Sequence, residues 1–114
     1  MTFAVNLMCS AEGVRQPCAA CQSAGALLTA RGFRVHHSTR HDALRAAANG
    51  GYGFDACFVP VARDEPAVAD AALALLSNVR VMLVAETPAM LPDPLPANAR
   101  AITPREFERG EFEF

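Results

Sequence analysis

An α/β fold, with a doubly wound five-stranded parallel sheet between helical layers, is predicted by three features of the sequence. Short apolar runs suited to strands recur along the chain, and segments with alanine and leucine at helical spacing separate them. The connections are short, and glycine or proline punctuates them. The 114 residues are 52% hydrophobic and 19% charged, enough for one buried core and too apolar for a disordered tail.

Residues 2–9 (TFAVNLMC) form an apolar run read as a buried strand. Residues 10–17 form a loop that holds Gly13 and closes on Pro17, which suits the first position of a helix. The helix itself covers 18–31, and Gly32 stops it. Residues 33–38 (FRVHHS) are the second strand. Residues 42–49 are a short helix with Asp42 favourably placed in its first turn, ended by Gly50, Gly51 and Gly53. Residues 54–61 (FDACFVPV) are a third strand, continuously apolar as an interior parallel strand is. A helix opened by Pro66 follows over 65–77, and then a fourth strand over 79–85 (VRVMLVA). Residues 87–98 hold prolines at 88, 92, 94 and 96, so the spacing predicts a loop and no helix. Residues 100–103 are a short fifth strand, and 104–114 a final short helix or tail. Strict alternation with right-handed crossovers gives a single three-layer domain over 1–114 with the flavodoxin-like strand order 2-1-3-4-5. Any site then belongs at the C-terminal ends of the strands, near residues 9–17, 37–41, 60–65, 85–90 and 103–104.

Composition excludes several classes of function. A net charge of −2 argues against nucleic-acid binding and against a polybasic membrane module. All ten basic residues are arginine, so P-loop, Schiff-base and kinase-type lysine chemistry is ruled out. No run reaches the ~18 apolar residues of a membrane span, and residues 1–8 lack the basic start of a signal peptide. The expected compartment is a bacterial cytoplasm, where four cysteines default to thiols, metal ligands or redox groups.

The stretch LLTARGFRVHHSTRHDALRAAANGGYGFDACFVP carries a recurrent cadence. A helix ending in leucine runs into Gly32, Phe33 and Val35; Ala43-Leu44 follows in the second helix; Phe54-Asp55 opens the third strand. Together with Thr103-Pro104 after the fifth strand, this resembles a bacterial response-regulator receiver domain of the CheY-like kind. The resemblance implies a signalling module that works through protein contacts. It also implies a catalytic set that the chain lacks. The acidic pair after the first strand reads Met8, Cys9, Ser10; the phosphoacceptor position is Pro60; the hydroxyl position is Val84 or Ala85; the lysine position is Thr103. Carboxylates are what hold Mg²⁺, so a receiver relative with these residues is a pseudo-receiver that is not phosphorylated in the usual way.

Cys9 and its surroundings admit other chemistries. Cys9 and Arg15 are separated by five residues and followed by Pro17, which resembles the loop of low-molecular-weight tyrosine phosphatases and related arsenate reductases. That resemblance implies a Cys9 nucleophile, Arg15 as oxyanion clamp and Asp93 as general acid. Cys9-Ser10-Ala11-Glu12-Gly13 also resembles the cysteine loop of sugar phosphotransferase IIB components. Cys18-x-x-Cys21 at a helix start resembles the redox helix of glutaredoxins, where unpaired amides acidify a thiol. A metal site is a further alternative: in a 2-1-3 sheet Cys9, Cys18 and Cys21 approach His37 and His41, a set suited to zinc, or with a fourth cysteine to an iron–sulfur cluster. Cys57, in mid-strand, is expected to be a small buried apolar residue.

The expected function is therefore a non-enzymatic, receiver-like regulatory module without a cofactor, acting on a protein partner or as a homodimer. Its expected contact surface joins Met90, Leu91 and Leu95 of the proline loop to Phe107 and Phe112 of the C-terminal segment. The competing classes are a Cys9 thiolate enzyme and a metal-binding or redox-sensing protein.

Overall fold

A computed structural model describes residues 3–9, 18–49, 53–62 and 67–114. Five parallel strands form one sheet in the order β2-β1-β3-β4-β5. They are β1 (Ala4–Cys9), β2 (Arg34–Thr39), β3 (Ala56–Pro60), β4 (Arg80–Val84) and β5 (Ala99–Ile102). The helices are α1 (Ala19–Ala30), α2 (Arg40–Ala48), α3 (Ala67–Leu75) and α4 (Pro104–Arg109). The α/β flavodoxin-like arrangement is the one that the alternation predicts.

Strand alternation sorts the core into two layers. Val5, Leu7 and Cys9 of β1, Ala56 and Phe58 of β3, and Met82 and Val84 of β4 face one way. They meet Cys21, Ala24 and Leu28 of α1 and Phe107 of α4. Met8, Cys57, Val59, Val81 and Leu83 face the other way, against Ala43 of α2 and Ala69 and Ala72 of α3. β1, β3 and β4 are buried nearly throughout, and β2, with the polar sequence RVHHST, lies at the edge and is largely exposed. The apolar runs are thus the central strands, as burial on both faces requires.

Local chemistry explains the element ends. The Thr39 side chain accepts from the amide of Asp42, so α2 starts at Arg40, two residues before the expected start. Thr103 caps α4 in a reciprocal box: its Oγ1 accepts from the Glu106 amide at 3.1 Å, and Glu106 Oε1 accepts from the Thr103 amide at 2.9 Å. Gly110 ends α4 at φ 69°, a left-handed conformation that favours glycine, and its carbonyl accepts from Arg31 Nη2 at 2.8 Å. Asp55 Oδ2 accepts from the amide of Ala4, tying the start of β3 to the start of β1 at 2.8 Å.

The segment after β4 contains no α-helix, as its prolines dictate, although Pro88–Met90 makes one 3-10 turn. Asn98 fastens the far end of that segment, donating to the carbonyls of Leu76 at 3.0 Å and Val79 at 2.8 Å. Met90, Leu91 and Leu95 pack against the α2/α3 layer of the core. Phe107 is only 5% exposed, and Phe112 lies against Phe58 with ring centroids 4.8 Å apart. Of the five side chains expected to form a contact surface, Phe107 is buried, while Met90, Leu91, Leu95 and Phe112 are half-buried: each packs against the core and keeps part of its surface exposed. Among the described residues, no helix is long and apolar enough to cross a membrane.

Candidate functional site

The site is built where β1 ends and α1 begins. β1 delivers Cys9 at its C-terminal end on the face covered by α1. Cys18 is the N-cap residue of α1, with extended backbone (φ −63°, ψ 164°). Cys21 lies three residues further on, and a three-residue step on a helix keeps both on one side. Cys21 also leads the buried stripe Cys21, Ala24, Gly25, Leu28, so helix packing turns it toward the sheet and toward Cys9. The result is a cluster of three sulfurs whose Sγ atoms all lie within 4.8 Å of one another. Cys9 and Cys21 are buried and Cys18 is exposed, so the cluster has an inner wall and an open side. No disulfide joins any of the four cysteines.

Burial pushes the Cys21 thiol far above its ordinary range, and the neighbouring Cys18 and Cys9 thiols push it further the same way. Desolvation disfavours a lone thiolate, and a second anion beside it disfavours it more. Without a cation Cys21 stays protonated. With a cation the same crowding becomes a ligand set.

The cluster opens into a cavity of about 330 Å³ at the C-terminal ends of β1, β3 and β4. Its walls include Phe58, Pro60, Val61, Val84, Met90 and Phe107, with Cys9, Cys18 and Cys21 on one side. Glu86 supplies its one carboxylate among the described residues, and no described arginine or histidine lines it. Ligands in open α/β sheets bind outside the carboxyl ends of the strands, and this cavity lies there.

The structure places the remaining expected site residues as follows. His37 does not join the thiols. β2 pairs with β1 so that His37 stands opposite Leu7, while the partner of Cys9 is Thr39. Two residues of strand rise, about 6.6 Å, separate those levels. The His37 ring instead lies over α1, where a Cβ on Gly25 would come within 3.1 Å of it, so glycine permits that approach. Loss of solvent, and then the neighbouring His36, lower the His37 pKa from its ordinary value. His36 takes the other side of β2, with its ring 5.0 Å from that of Phe54. His41 is exposed on α2 and contacts Arg45 Nη2 through Nε2.

Cys57 faces the opposite layer of the core, within 3.9 Å of Asn6 Nδ2. The fourth thiol that an iron–sulfur cluster asks for is therefore not at the three-sulfur site. Asp93 is exposed in the proline segment and is not among the residues lining the cavity. Ser10 and Arg15, with the rest of the 10–17 loop, lie outside the described residues. Of the positions that the receiver resemblance singles out in the sequence, Cys9, Pro60 and Val84 line the cavity and Thr103 caps α4 beside Pro104, which also lines it.

The cavity lies at the strand ends where the fold class places any site, but its enclosed apolar character is not visible from local sequence. The apolar residues at the strand ends signal its lining alone, since such positions are usually polar where they face solvent. Comparison of the chain with family models, with curated proteins and with solved structures returns no match.

Proposed function

We propose that the chain is a small regulatory α/β module that binds one thiophilic ion of the Zn²⁺ class through Cys9, Cys18 and Cys21 and acts by contact with another protein. One observation carries this reading: three thiol sulfurs within 4.8 Å of one another, drawn from a strand end and a helix start. Zinc–sulfur bonds of about 2.3 Å with tetrahedral angles put sulfurs about 3.8 Å apart. The separations here close to that value with a movement of about 1 Å, which the exposed Cys18 side chain can supply by rotation. Thiolates select soft and borderline ions over Mg²⁺ and Ca²⁺.

The regulatory half of the reading rests on the receiver-like strand ends. In a receiver that location holds carboxylates, a hard cation and a phosphoryl group. Here it is apolar around three thiols, with Glu86 as its one described carboxylate. Ion occupancy replaces phosphorylation as the input.

The test is anaerobic titration of the reduced protein with Co²⁺, a spectroscopic stand-in for Zn²⁺. The expected result is one equivalent bound, with thiolate-to-cobalt charge-transfer bands. Each of Cys9→Ser, Cys18→Ser and Cys21→Ser weakens those bands, and Cys57→Ser leaves them intact. Bands of undiminished intensity in Cys9→Ser, or a spectrum without thiolate character, defeat the proposal. Specific modification by acetyl phosphate with Mg²⁺ defeats its regulatory half.

A further inference from the structure

We infer that the cavity beside the three thiols is a binding site for a small uncharged molecule, an aromatic body bearing a neutral nitrogen donor, which completes the coordination of the ion. This rests on the three-thiolate reading above.

Tetrahedral zinc takes four ligands, and sites with three protein ligands give the fourth position to water or a small molecule. Among the described residues, no histidine, aspartate, glutamate or further cysteine joins Cys9, Cys18 and Cys21 within the cluster. The same three thiols line the cavity, so a donor coming from the cavity meets the ion directly. The volume of about 330 Å³ lies at the lower end of the range for small-molecule pockets, roughly 300–1,000 Å³.

The walls decide what kind of molecule fits. Phe58, Val61, Val84, Met90 and Phe107 offer an apolar chamber with two aromatic rings. Aromatic bodies gain both area burial and ring contacts in such a chamber.

Charge decides the donor. Three thiolates and one divalent ion sum to −1 at the wall of the cavity. No described arginine or histidine lines the cavity to offset an anion. A carboxylate or thiolate entering there meets like charge at low dielectric, whereas a neutral heterocyclic nitrogen meets none.

The test uses Co²⁺-loaded protein and three probes: imidazole, 4-phenylimidazole and phenylacetate. The cobalt visible bands report occupation of the fourth position. The expected result is that 4-phenylimidazole shifts the bands and binds at least about tenfold tighter than imidazole, the gain from burying one ring. Phenylacetate leaves the bands unchanged. Ala62 also lines the cavity and is half-buried. Ala62→Trp fills it and brings the two imidazoles within about twofold of each other, while the thiolate-to-cobalt bands persist. Equal affinities for imidazole and 4-phenylimidazole in the unsubstituted protein overturn the inference and leave the metal reading standing. So does tighter binding of phenylacetate. Failure of Co²⁺ to bind through thiolates overturns both.

Discussion

Replacing each cysteine by serine separates the ligand role from the packing role, because the four thiols differ in burial. Cys18 is exposed, so Cys18→Ser leaves the metal-free protein within about 0.5 kcal/mol of its original stability. Cys21 is 4% exposed and Cys57 fully buried. A hydroxyl in either place costs about 1–3 kcal/mol where no new partner accepts or donates. Unfolding entropy of about 2.1 cal/mol/K per residue gives roughly 0.24 kcal/mol/K for 114 residues, so 1 kcal/mol moves Tm by about 4 °C. Cys18→Ser then shifts the metal-free Tm by about 2 °C or less, and the two buried substitutions lower it by about 4–12 °C. Zinc at about 100 times its Kd adds about 2.7 kcal/mol, or about 11 °C, to a protein that binds it only when folded. That rise is expected in the unsubstituted protein and in Cys57→Ser, and lost in Cys18→Ser and Cys21→Ser. Differential scanning calorimetry with and without zinc reads all four. A zinc-dependent rise retained in Cys18→Ser, or lost in Cys57→Ser, refutes the reasoning.

Three further outcomes follow from named contacts. Zinc must displace the proton that burial and its neighbours hold on Cys21, so zinc affinity rises with pH, by at least about tenfold between pH 6 and 7, and a chelator competition series measures it. His37 has a lowered pKa in the fold, so the unfolded chain binds the extra proton first; stability is full above about pH 6.5 and falls as pH drops below it. His37→Gln flattens denaturant midpoints across that window, and an unchanged slope counts against the assignment. Thr103→Ala removes a reciprocal cap from α4 and costs about 1 kcal/mol by urea unfolding, with Thr103→Ser recovering most of it.

How much of this was legible in the sequence depended on distance along the chain. The central strands were visible because burial on both faces makes them continuously apolar, as in FDACFVPV and VRVMLVA. The meeting of Cys9 with Cys18 and Cys21 was visible too. One strand end and the next helix start are always adjacent in a βα unit. The place of His37 was not visible, because it follows from the β1–β2 register that sets it against Leu7, and no local pattern fixes that register. The side on which Phe107 and Phe112 meet the core was not visible for a related reason. Helix α4 is six residues long, too short for periodicity to say which side faces the sheet. The prolines at 88, 92, 94 and 96 exclude an α-helix, and Met90, Leu91 and Leu95 are apolar in the sequence whether they meet a partner or fold back over the sheet; the fold leaves them half-buried.

The direct test of the three-thiol centre is X-ray absorption at the zinc edge of protein loaded with one equivalent of zinc. Three sulfurs at about 2.3 Å and one lighter atom at about 2.0–2.1 Å are predicted. A first shell of nitrogen and oxygen alone contradicts the account.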